Sequence, residues 1–141
     1  MTVTEVRHLS VTVNRSAQAV YDFAAKPENL PRWASGLGSG PRHVGGEEWE
    51  VRSPEGPVGV RFTPPNPFGV LDHTVTVSPG VDVYVPMRVV ANGSGSEVIL
   101  TLFRVAQMTD EKFAADAAWV GRDLTTLKDL LEQSPRGEET D

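Results

Sequence analysis

Residues 11–37 read VTVNRSAQAVYDFAAKPENLPRWASGL, and the spacing of apolar residues changes within them. Leu9, Val11 and Val13 alternate with Ser10 and Thr12, which is the period of a strand with one buried face. From Asn14 the period lengthens. Asn14 or Ser16 can cap a helix, Ala17, Val20, Tyr21 and Ala24 make its apolar stripe, and Pro27 ends it. Proline also suits the first position of a helical turn, so residues 27–33 (PENLPRW) are predicted to form a second, shorter helix.

Downstream, residues 34–46 (ASGLGSGPRHVGG) read as a glycine-rich loop. A phosphate cradle is excluded there, because no hydrophobic strand precedes it and no Lys-Ser or Lys-Thr follows. Strand periodicity returns at Trp49 and Val51, then at Val58, Val60 and Phe62 after a turn at PEGP (54–57). The proline-rich 63–69 (TPPNPFG) connects to a strand with Leu71, His73, Val75 and Val77 on one face and Asp72, Thr74 and Thr76 on the other. After the SPG turn at 78–80, Val81, Val83, Val85, Met87 and Val89 continue an apolar face, and Pro86 within it predicts an edge or a bulge. Residues 91–96 (ANGSGS) form a hairpin loop, and 97–106 (EVILTLFRVA) is apolar on both faces, as in a strand covered by another layer.

The cover follows. Thr109 can cap a helix whose first turn carries Asp110 and Glu111. Phe113, Ala117, Val120, Leu124, Leu127 and Leu131 then repeat at spacings of four and three, one continuous apolar stripe to about Gln133. At 1.5 Å per residue this helix spans about 36 Å, enough to lie across a sheet. Runs of hairpins with helices set apart predict an α+β fold built on an antiparallel sheet.

The chain of 141 residues fits one domain, here residues 1–134, with a polar, flexible tail at 135–141. It has no cysteine, which excludes thiol chemistry, disulfides and cysteine-built zinc sites and suits a reducing cytoplasm. A net charge of −6, from 13 basic and 19 acidic residues, disfavours nucleic acid and anionic membrane as partners. The opening residues lack the pattern of a signal peptide, and no apolar run approaches the ~20 residues of a membrane span. The expectation is a soluble, cytoplasmic domain.

The order of elements and the quoted residues 11–37 resemble the N-terminal signature of the SRPBCC superfamily, the START-like or Bet v 1-like proteins. There a strand leads to a helix with Val-Tyr or Val-Trp, then Pro-Glu-Asn, then a tryptophan, here Val20-Tyr21, Pro27-Glu28-Asn29 and Trp33. The second half, from FGVLDHTVTV (68–77) through DLTTLKDLLE (123–132), is similar to the bacterial polyketide cyclase/dehydrase branch. The resemblance implies a helix-grip fold, a curved antiparallel sheet around a long C-terminal helix. It also implies a hydrophobic cavity between sheet and helix, opening near the two short helices, that takes lipids, steroids, isoprenoids or polyketides. Some members cyclise or dehydrate their ligand, and others carry or sense it.

Period two places His73 inward with Leu71 and Val75, whereas His8 falls on a polar face and His43 in the loop. An inward imidazole is either a hydrogen-bonded core residue or a cavity-lining acid/base or ligand anchor. Asp116 and Asp123, on one flank of the long helix, are the carboxylates that could orient it. Trp33, Trp49, Phe62, Leu71, Val85, Met87, Phe103 and Trp119, with His73, are the expected ligand-contacting set. Arg88 should face out unless a bulge at Pro86 turns it in. Gly121, in mid-helix, should mark a close approach or kink beside the pocket. No HExxH, His-x-His or G-x-S-x-G pattern occurs, so no metal or cofactor is expected. The function expected is binding of a small hydrophobic or aromatic molecule, as carrier or sensor; the alternative is a cyclase/dehydratase with His73 as acid/base.

Overall fold

The alternation at Leu9–Val13 lies within strand β1 (Val6–Val13), and Ser16 caps helix α1 (Ala17–Ala24) by accepting the Ala19 amide at 3.1 Å. The computed structural model describes residues 3–35, 39–53 and 56–133; the expected tail, Gly36–Gly38 of the glycine-rich loop and the first half of the PEGP turn lie outside them. A 3₁₀ turn (Pro27–Asn29) leads directly into α2 (Leu30–Trp33), so the predicted second helix is a short turn of two kinds.

Five strands then pair antiparallel in chain order: β2 (Ser39–Gly45), β3 (Glu48–Ser53), β4 (Gly56–Phe62), β5 (His73–Ser78) and β6 (Val81–Val85). β7 (Met87–Asn92) and β8 (Gly95–Phe103) join β1 in a second antiparallel sheet, in the order β1-β8-β7. β2 corrects the sequence reading, which made this segment a loop. It is an edge strand, where Pro41 forfeits no interior bond, and its register shifts twice against β3. Those irregularities are what its glycines and proline announced.

Pro86 stands where β6, the last strand of one sheet, passes into β7, the last strand of the other, in keeping with the expected edge. Its carbonyl accepts the Thr101 amide at 3.0 Å. Three links close the seam between the sheets. The Leu71 amide donates to the Met87 carbonyl at 2.8 Å, the Val89 amide to the Gly69 carbonyl at 2.9 Å, and the Met87 amide to Asp72 Oδ1 at 2.8 Å. Gly69 has φ +72°, and a Cβ there would fall 2.2 Å from the Val89 carbonyl oxygen, so only glycine lets the loop approach β7 this closely. Arg88 faces outward, and its guanidinium holds both oxygens of Asp72 at 3.0 and 2.8 Å.

Thr109 caps α3 (Asp110–Gln133), accepting the Lys112 amide at its hydroxyl, 3.0 Å. Phe113, Ala117, Leu124, Leu127 and Leu131 of its stripe are buried, and the three leucines share one core with inward residues of β1, β7 and β8 such as Val13, Val89, Val98 and Leu100. Its last turn is clasped to the end of β1. Lys128 donates to the Thr12 carbonyl at 2.8 Å, Glu132 accepts the Asn14 amide at 2.8 Å, and the buried Arg15 donates to the Leu131 carbonyl at 2.5 Å. A cation at that end also complements the negative pole of the helix.

Gly121 packs against β1, not against a pocket. A Cβ there would meet Leu9 Cδ2 at 3.9 Å, ordinary contact distance. Gly121→Ala is therefore expected to stabilise the fold by up to about 1 kcal/mol and raise Tm by a few degrees in a thermal melt. Among the described residues no helix is long and apolar enough to cross a membrane.

Candidate ligand cavity

A cavity of about 520 Å³ opens between the short helices and the sheet. Its inner wall is made by Phe62, Leu71, His73 and Met87, inward residues of β4, β5, β7 and the segment before β5. Leu30 and Trp33 of α2 and Ala24 of α1 cover it. The polar rim includes Asp22 and Lys26 on one side and His43 and Glu47 on the other, near Trp49.

Of the residues expected to contact a ligand, Trp33, Trp49, Phe62, Leu71, His73 and Met87 line this space. Three do not. Val85 shares the inner face, directly paired with His73, but packs against the core. Phe103 lies on the outer face, because Val98, Leu100 and Leu102 occupy the inward positions of β8; its ring stacks on Tyr84 at 6.5 Å between centroids. Trp119 is 42% exposed on α3, and its indole N–H donates to Ser35 Oγ at 2.7 Å.

The displacement of Trp119 follows from where the space lies. Among the described residues no α3 side chain lines the cavity, so the space expected against the long helix is walled by α1 and α2 instead. α2 is fastened to α3 just beyond its end. Ser35 donates its hydroxyl to Asp123 at 2.7 Å and its amide to the same oxygen at 3.3 Å. Burial pushes the Asp123 carboxyl up, and the Ser35 bonds oppose that shift. Asp116 accepts from Lys112 at 2.7 Å. Neither carboxylate orients His73.

A backbone group does so. His73 Nδ1 lies 3.0 Å from the Leu71 carbonyl. A carbonyl only accepts, so Nδ1 carries the proton and Nε2 keeps its lone pair. Burial lowers the pKa of the ring, partly opposed by the Leu71 bond and the Asp72 charge, so the neutral form prevails at pH 7. The Phe62 ring lies 6.1 Å away at a tilt. Among the described residues Nε2 has no hydrogen-bond partner, and His73 borders the cavity. Trp33 Nε1 is also without an acceptor, but it is fully enclosed and not open to the cavity. The inner wall thus carries one free acceptor, His73 Nε2, among the apolar Phe62, Leu71 and Met87, and the charged groups stand at the rim.

His43 and Tyr21 escaped the sequence reading as cavity residues. His43 donates Nε2–H to the Gly46 carbonyl at 2.8 Å and lies 5.0 Å from the Trp49 ring. The signal that would have found it is the β2–β3 pairing, His43 opposite Trp49. Tyr21 was legible as part of the α1 stripe but not as a wall. Among the described residues no cluster of three or more His, Asp or Glu is placed to hold a metal ion.

Residues 4–133 match the family model described as "Polyketide cyclase / dehydrase and lipid transport". The fold is similar to that of an uncharacterised protein from Bacillus thuringiensis, with a TM-score of 0.73 and 16% identity over 90% of this chain and 98% of the other. It is also similar to a START superfamily protein from Mycobacterium smegmatis (TM-score 0.67, 11% identity, 91% and 97% of the two chains). A third similar structure is Ara h 8.0201, of the Bet v 1 family (TM-score 0.69, 11% identity, 94% and 100%). At these identities the likeness establishes the fold, an α+β helix grip. No curated protein matches the chain by sequence.

Proposed function

Since the chain belongs to the polyketide cyclase/dehydrase and lipid-transport family, we propose that it binds a small hydrophobic or aromatic molecule in the cavity under α1 and α2, as a carrier or sensor. The ligand is lipid-, isoprenoid- or polyketide-like. One observation carries this reading: a cavity of about 520 Å³ has an inner wall of Phe62, Leu71 and Met87, into which His73 presents a neutral imidazole acceptor, with the charged groups kept to the rim. Such a lining rewards burial of apolar surface and uses few polar contacts for orientation. The net charge of −6 supports a small-molecule partner over nucleic acid.

The test is native mass spectrometry of protein purified gently from its own host, followed by solvent extraction. A discrete adduct that extracts into solvent is the expected result, and its class names the ligand. A bare chain that also fails to bind a panel of lipids and polyketides would overturn the reading. His73→Phe keeps the ring and removes Nε2. It is expected to weaken a hydroxyl-bearing ligand about tenfold, the worth of one hydrogen bond.

The lone pair on Nε2 also supports a second reading, a cyclase/dehydratase in which His73 accepts a proton from the ligand. An aldol cyclisation with dehydration wants several positioned donors and acceptors, and this lining offers few. Loss of one water from the bound ligand in wild-type protein, absent in His73→Phe, would establish the enzyme. Stable binding with no chemical change in either would establish the carrier.

A further inference from the structure

Resting on the reading of this space as a ligand cavity, we propose that the Tyr21 ring is the stop that sets how long a ligand it accepts, by closing the cavity off from a second groove in line with it. The groove, of about 330 Å³, is built from three of the elements that line the cavity, taken further along each. On α1, Ala24 and Ala25 border the cavity, and Ala17 and Gln18 border the groove. On β7, Met87 borders the cavity and Val89 to Ala91 the groove. In the connecting loop, Thr63 and Pro65 border the first, and Asn66 to Gly69 the second. Among the described residues Tyr21 alone borders both.

The stop is anchored. The Tyr21 hydroxyl accepts the Asn66 amide at 3.0 Å, and Asn66 organises its own loop. Asn66 Oδ1 accepts the Phe68 and Val70 amides at 3.0 and 3.1 Å, while Nδ2 donates to the Pro64 and Val70 carbonyls at 3.1 and 3.0 Å. Swinging the ring aside breaks its bond to a loop held on four further bonds. Beyond it, the groove offers buried Val89 with Phe68, 77% exposed, and Val90, 44% exposed. The occupant this continuity fits is the distal part of the same unbranched apolar ligand, admitted when the ring is removed.

The experiment measures affinities of straight-chain alcohols of increasing length, by displacement of 1-anilinonaphthalene-8-sulfonate, for the full chain as wild type, Tyr21→Ala and Tyr21→Phe. In wild type, affinity is expected to rise about fourfold per methylene and then level off once the cavity is filled, since each buried methylene contributes about 0.8 kcal/mol. Tyr21→Ala should keep rising beyond that length, binding an alcohol two carbons longer than the plateau at least about tenfold more tightly than wild type does. Tyr21→Phe, which keeps the ring, should keep the wild-type plateau. A plateau at the same length in folded Tyr21→Ala, or no plateau in wild type, would overturn the stop. If wild type binds neither dye nor any alcohol, the cavity reading itself fails. Should Tyr21→Ala not fold, Tyr21→Leu serves: a longer plateau supports the stop and an unchanged one overturns it.

Discussion

Leu127→Ala is expected to destabilise the protein by about 3 kcal/mol, with a fall in Tm on the order of 10 °C, while leaving ligand affinity of the folded protein unchanged. Leu127 is 0% exposed, in the C-terminal half of the α3 stripe, between the buried Leu124 and Leu131. Truncation removes its transfer free energy and leaves a void that neighbours in a close-packed interior fill only in part. A domain of this kind holds only about 5–15 kcal/mol in total, so the loss is a large fraction. The second half of the expectation follows from where the cavity is. No described α3 residue lines it, so damage to the grip of sheet on long helix does not reach the ligand directly. Urea melts beside dye titration at a concentration where the variant remains folded check both halves. A matching loss of affinity would place the ligand against α3 after all.

Asp72→Ala is expected to cost about 2–3 kcal/mol at pH 7, and Asp72→Asn about 1–2 kcal/mol. The Asp72 carboxylate accepts the Met87 amide at the seam, both arms of Arg88 and the Tyr84 hydroxyl at 2.8 Å. Alanine strands the Met87 amide. Asparagine can still accept it and mainly removes the charge. The Arg88 bonds, aided by the Met87 and Tyr84 bonds against the cost of burial, hold the Asp72 carboxyl down at about 2, below its ordinary 3.8. A carboxyl with a depressed folded-state pKa binds protons more weakly than in the unfolded chain. Its stabilisation is therefore complete above about pH 4 and is lost as pH falls from there through about 2. Because Arg88 is half-exposed, solvent screens the pair, and the contribution stays at the lower figure given for asparagine. Urea melts at pH 7 and down to pH 2 should show wild type and Asp72→Asn converging in acid. A constant gap would mean that the charge is not what stabilises. The hub also bears on the cavity, since it fixes the backbone of Met87, whose side chain forms part of the wall.

Much of the fold was legible because its signals are local. Period two assigned β1, β3, β4 and β5 and the inward face of β6 and β7, and a run apolar on both faces assigned β8. Period 3.6 assigned α1 and α3; Thr109 marked the start of α3, and of the two cap candidates for α1, Asn14 and Ser16, the structure uses Ser16. The same alternation put His73 and Met87 on one face and Arg88 and Asp72 on the other, as the structure has them. β2 was not legible. Its glycines and proline erase the alternation, and its existence rests on pairing with β3. Phe103 illustrates a second limit: β8 is apolar on both faces, so the residues themselves cannot say which face turns in. The outcome depends on Met87 pairing with Leu100 in a neighbouring strand.

The sequence by itself determined which residues form elements, in what order, and which face of each is apolar, because those properties depend on neighbours within a turn or two of chain. Only the tertiary structure decided where the empty space lies. A cavity is what packing leaves unfilled, and it depends on how α1 and α2 stand over the sheet and on how α2 is fastened to α3 through Ser35 and Asp123. That placement drew His43 and Tyr21 into the wall and left Trp119 outside it, while the β7–β8 register turned Phe103 out. Distances between elements far apart in sequence made those decisions, and no local spacing of residues records them.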